Sequence, residues 1–124
     1  MTSQAFASLH HVQLAMPAGA EDAATAFYAG VLGMQPIIKP PELAGRGGVW
    51  FRSGAVELHL GVDADFVAAQ KAHPGILVDD LDGLSRLLAD SGYPVTLDDA
   101  FPGFRRFYAS DPFGNRLEFL QPLQ

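Results

Sequence analysis

No cysteine occurs among the 124 residues. That absence excludes a disulfide framework, a thiol nucleophile and a zinc site built on thiolates. Basic side chains are scarce too: eight lysines and arginines stand against fourteen aspartates and glutamates, a net charge of −6. Such a balance repels phosphate backbones and anionic lipid. The one basic pair, Arg105-Arg106, is too short to reverse it, so neither nucleic acid nor membrane is expected as a partner. No apolar run approaches the roughly 18 residues that span a bilayer. Met-Thr-Ser-Gln-Ala at the N-terminus lacks the basic segment and apolar stretch of a secretory leader. A soluble, cytoplasmic protein of one domain is expected, long enough to build a core without covalent staples.

What is present is patterned. Leu9 to Met16 alternates as a strand does, with Val12, Leu14 and Met16 on one face and His11, Gln13 and Ala15 on the other. Ala24, Phe27, Tyr28, Val31 and Leu32 form the apolar stripe of a helix over residues 21–32, with Gly33 as its C-cap. Pro40-Pro41 and three nearby glycines predict a loop, followed by a hairpin of residues 49–52 and 55–60 that places Glu57 and His59 on one face. Residues 63–72 are expected to form a short helical connection. A second set follows: a strand over residues 73–79, a helix over 81–91 ending at Gly92, a short strand over 94–97, and a hairpin over 106–120. The last is turned by Asp111-Pro112-Phe113-Gly114-Asn115, in which Pro fixes φ while Gly and Asn tolerate φ > 0. On its second strand Glu118 points away from Leu117 and Phe119.

The two sets are one repeat. His73 lies 62 residues beyond His11, and Glu118 lies 61 beyond Glu57, about half the chain in each case. The expected architecture is α+β: two tandem βαβββ modules, about residues 5–62 and 70–122, forming a curved, barrel-like mixed sheet with the helices outside. His11, Glu57, His73 and Glu118 occupy equivalent places in this repeat. Two imidazoles and two carboxylates suit a divalent transition ion such as Zn, Ni, Co, Mn or Fe(II). His59, two residues from Glu57 on the same face, competes with it as a ligand or supports it as a base. His10 reads as a core-edge histidine.

These residues resemble the vicinal-oxygen-chelate superfamily, which includes glyoxalase I, fosfomycin-resistance transferases, extradiol dioxygenases and bleomycin-resistance binding proteins. The resemblance is carried by Leu9-His10-His11-Val12, Phe27-Tyr28-Ala29-Gly30-Val31-Leu32-Gly33, Val56-Glu57-Leu58-His59-Leu60, His73, and Asp111-Pro112-Phe113-Gly114-Asn115-Arg116-Leu117-Glu118. It implies that His11, Glu57, His73 and Glu118 are the metal ligands, as in bacterial glyoxalase I. Where that enzyme carries an Arg four residues after the first ligand and an Asn four after the second, both engaging glutathione, this chain has Ala15 and Gly61; Gln13 stands where fosfomycin enzymes have Thr. The implied activity is that of a metal-dependent isomerase, lyase or transferase acting on a small substrate with two adjacent oxygens. Glu57 or Glu118 would move the proton. Gln13, Trp50, Arg52, Arg105 and Tyr108 are candidate substrate contacts, with Phe51, Phe101, Phe104 and Arg106 also near the expected cavity. No organic cofactor is expected, and a homodimer is. The alternative is a protein that sequesters a ligand without chemistry, as bleomycin-resistance proteins do.

Overall fold

The computed structural model describes residues 4–124; Met1–Ser3, on which the leader expectation partly rests, lie outside the described residues. The first half runs β1 (Val12–Met16), α1 (Glu21–Thr25), a π-helical turn (Ala26–Val31), β2 (Gln35–Ile37), α2 (Pro41–Ala44), β3 (Val49–Ser53) and β4 (Val56–Val62). The second runs β5 (Gly75–Leu77), α3 (Leu81–Asp90), β6 (Thr96–Asp98), β7 (Phe104–Ser110) and β8 (Arg116–Pro122). Each half builds one four-stranded mixed sheet of the same order, β1-β4-β3-β2 and β5-β8-β7-β6. In both, the first strand lies parallel to the last and the other pairs are antiparallel. The fold is therefore the expected α+β repeat. The two sheets are separate and not closed into a barrel.

Parity along the strands decides what is buried. Leu14, Met16, Phe51, Leu58 and Leu60 of the first sheet share one core with Phe107, Leu117 and Phe119 of the second, roofed by Leu81 and Leu88 of α3. The wide turn after α1, closed by the amide of Leu32 on the carbonyl of Phe27, lets two consecutive rings reach that core. Phe27 packs edge-on to Tyr93, and Tyr28 stacks on Phe51. Residues of the opposite parity are left on the other face of each sheet, where the polar side chains lie.

Four expectations are corrected. Residues 63–72 form no helix, because their hydrogen-bonding groups are taken by the Asp111–Asn115 turn: the Ala69 amide donates to Asn115 Oδ1, the Arg116 amide to Ala69 O, and Gln70 Nε2 to Gly114 O. The 40–48 loop contains the single turn α2. The strands are shorter than the alternation suggests, so His11 and His73 stand just before β1 and β5 rather than within them. His10 is exposed and not at the core edge; its Nδ1 meets Nδ1 of His11 at 2.9 Å.

The Asp111–Asn115 turn is also a clasp between the halves. Gly114 takes the positive φ (+88°), and Asn115 does not. Asn115, 1% exposed, donates from Nδ2 to Ala15 O of β1 and to Asp111 Oδ2. Asp111 accepts in addition from the Tyr28 hydroxyl at 2.7 Å and from the amides of Phe113 and Asn115. Burial, and then the charge of Asp111, pushes the Tyr28 hydroxyl well above its ordinary pKa, so it remains a donor.

Candidate functional site

In the first sheet, register places Gln13 and Trp50 on either side of His59, and Arg52 opposite Glu57. All share the face away from the core. The His59 ring is sandwiched, with Trp50 stacked at 3.9 Å and His11 at 4.0 Å between ring centres. Its Nε2–H donates to Glu57 Oε2 at 2.7 Å. Burial pushes the His59 imidazole below its ordinary pKa, and Glu57 opposes that shift. Glu57 also receives Arg52 on Oε1 at 2.8 Å. The His59 hydrogen bond, and after it the Arg52 one, hold the Glu57 carboxyl down at about 2. Because the folded value is depressed below 4.5, Glu57 adds stability that is fully present above 4.5 and is lost as pH falls through about 2. A carboxyl-carbon NMR titration of Glu57 is expected to show a midpoint near 2; a midpoint near 4.5 would mean that neither partner holds it.

Gly61 leaves room for a neighbour. A Cβ there would collide with the amide of Gln13, which lies across it.

In the second sheet, Glu118, 8% exposed, lies between Gly75 of β5 and Tyr108 of β7. His73 Nε2 meets Glu118 Oε1 at 2.8 Å, and its Nδ1–H donates to Gln70 O at 3.0 Å. Arg106 Nη1 donates to Glu118 Oε2 and is also paired with Asp98. The Tyr108 ring stands edge-on to His73 at 5.6 Å. Arg105 is a correction: alternation along β7 sends it to the helix side, where it pairs with Asp82 of α3, while Arg106 takes the face of Glu118. Phe51 belongs to the core and is not a cavity wall. Gln70 escapes the sequence reading because its segment was expected to be helical.

The four expected ligands thus stand in one chain as two separate sets: His11 and Glu57, gathered around His59, and His73 with Glu118. Among the described residues, no three His, Asp or Glu side chains stand close enough to hold a metal ion. The His73–Glu118 pair has a geometry that suits two ligands of one. An N···O separation of 2.8 Å matches two ligands bound at about 2.1 Å roughly at right angles. The Nδ1–H of His73 on a backbone carbonyl is the usual way of presenting Nε2 to a metal. His11, Glu57 and His73 border one cleft of about 1240 Å³, with walls from β1, the β3–β4 turn and β5. Both β1 and β5 are edge strands of their sheets.

Known proteins share this architecture. A protein of Bacillus anthracis described as a glyoxalase family member is 43% identical, with 98% of this chain and 100% of that one aligned at a TM-score of 0.95. Lactoylglutathione lyase of Agrobacterium tumefaciens is 27% identical over 89% of this chain and 91% of its own, at 0.65. TnmS3, an antibiotic binding protein of Streptomyces sp. CB03234, is 21% identical over 96% and 100%, at 0.73, and shares the fold. Among curated proteins the sequence finds no match. Among the described residues no helix is long and apolar enough to cross a membrane. Residues 8–119 match one family profile, and the chain belongs to the Glyoxalase/Bleomycin resistance protein/Dioxygenase superfamily.

Proposed function

We propose that the protein is a cytoplasmic, metal-dependent enzyme of glyoxalase-like type, with each active site completed between two copies of the chain. The observation that carries this reading is that the two carboxylates equivalent in the repeat each meet an imidazole, Glu57 that of His59 on its own strand at 2.7 Å and Glu118 that of His73, ahead of β5, at 2.8 Å. Each set offers too few donors for an ion alone; two brought together offer enough. β1 and β5 are edge strands that border the cleft, and a second copy docking along them would bring the first sheet of one chain to the second sheet of its partner.

His11, Glu57, His73 and Glu118 would hold the ion, with His59 in reserve behind Glu57. A bound divalent ion supplies Lewis-acid stabilisation of the oxyanion or enolate of a substrate with adjacent oxygens. The chain's own residues divide the remaining work. Glu57, held near 2 and engaged on both oxygens, is a weak base. Glu118 is likewise held on both oxygens, Oε1 by His73 and Oε2 by Arg106, so either carboxylate would move a proton only on releasing one of its partners. Trp50 and Tyr108 wall the two sides, and Arg52, tied to Glu57, orients that carboxylate rather than the substrate.

A second reading is favoured by the flat Trp50–His59–His11 stack, an aromatic surface suited to a planar ligand held without chemistry. Metal analysis of protein purified without chelator or added metal separates the two. The enzyme reading expects about one divalent ion per chain, lost in His73→Ala. A metal-free protein, or unchanged metal content in that variant, favours sequestration.

A further inference from the structure

Beyond the His73–Glu118 pair, the same face of the second sheet continues to Arg116. We propose that Arg116 and the groove it borders form a subsite for an anionic group of the ligand, a carboxylate or a phosphate. Four observations support it. The Arg116 guanidinium lies over the Tyr108 ring at 5.5 Å, a cation–π contact that positions its head at the groove. No carboxylate of the described residues stands within ion-pair distance of it, whereas Arg52, Arg105 and Arg106 are each paired. The two carboxylates that border the groove are already occupied: Asp98 by Arg106 and the Ala100 amide, Asp111 by Tyr28, Asn115 and the Phe113 amide. The groove itself, about 700 Å³, presents Gln70, Thr96 and Ser110 around the cation. It exists because β6 pairs with β7 only as far as Thr96 opposite Tyr108, leaving Ala109 and Ser110 without a neighbour on that side.

The position selects a ligand class. Arg116 and Glu118 are two residues apart on one strand and share a face, about 7 Å along it. Tyr108 bridges them, opposite Glu118 in register and beneath Arg116. Neither His73 nor Glu118 lines that groove, so a ligand anchored by Arg116 would have to extend past Tyr108 to reach them, which favours a molecule with several bonds between its charged end and its oxygens. The inference rests on the enzyme reading only in calling this ligand a substrate.

The test uses metal-free full-length protein and two probes, inorganic phosphate and acetate, followed by amide and arginine Nε shifts. Saturable binding is expected, with the largest shifts at Thr96, Ser110 and Arg116. The stronger probe identifies which anion the groove takes. Arg116→Met, which keeps an apolar stem over Tyr108, is expected to weaken binding at least tenfold, and Arg86→Met on the exposed side of α3 to leave it unchanged. Arg116→Lys, which keeps the charge without the fork, serves if the Met variant does not fold, and is expected to weaken binding severalfold. Equal binding by the Arg116 variants, non-saturable shifts spread over the surface, or shifts centred elsewhere would overturn the subsite. Because no metal is present, a wild type that binds phosphate here yet purifies without a divalent ion retains the subsite and loses the enzyme reading.

Discussion

Asn115→Ala is expected to destabilise the fold by about 3 kcal/mol, because it removes a side chain whose polar atoms serve three buried or part-buried partners. The Ala69 amide loses its acceptor, Ala15 O loses its donor, and Asp111 loses one of four hydrogen bonds that offset its burial. Each group left unpaired costs about 1–3 kcal/mol, with some recovered where water enters. Against a total of roughly 5–15 kcal/mol for an ordinary domain, the loss is large. Urea unfolding is expected to show a lower midpoint at an unchanged slope. A wild-type midpoint would show that the clasp adds nothing. Tyr28→Phe, which removes only the hydroxyl donor to Asp111 and keeps the ring on Phe51, should cost less, about 1–2 kcal/mol.

Mixing two inactive variants is expected to restore metal binding. In a dimer whose sites each draw on one set from either chain, His11→Ala with Glu57→Ala disables one half of a site and His73→Ala the other. A mixed dimer then has one site with both defects and one with neither. After unfolding and co-refolding at equal amounts, about half the dimers are mixed, and about a quarter of wild-type metal content should return. Each variant alone should hold none. If the four ligands were gathered within a single chain, mixing would restore nothing, so the result decides between the two arrangements. Arg106 keeps Glu118 in both variants, and Arg52 keeps Glu57 in His73→Ala but loses it in the double variant, where its exposed guanidinium turns to water.

Local alternation and the step of 61 to 62 residues were enough to read the βαβββ repeat, because strand parity is a property of the backbone and needs no knowledge of neighbours. The same parity put Glu57 with His59, and turned Glu118 away from Leu117 and Phe119. It also had the information to send Arg105 to the helix side, since Phe107 and Ala109 alternate with it into the core. Gln70 and the 63–72 connection were not legible. Their hydrogen bonds go to a turn more than 40 residues later, and propensity within the segment is silent about that competitor.

By itself, then, the sequence determined which side chains of one strand share a face, and through the repeat that His11 and His73, and Glu57 and Glu118, are equivalent pairs. Only the tertiary structure decided which of these groups touch. His59 is drawn into the Glu57 contact and sandwiched by Trp50 and His11, His73 is aligned by Gln70, and the two sets of one chain stay apart. The physical reason is range: parity repeats every two residues along one strand, whereas the distance between sets depends on how two sheets pack, and that is set by a shared core and by a clasp joining residues 100 positions apart.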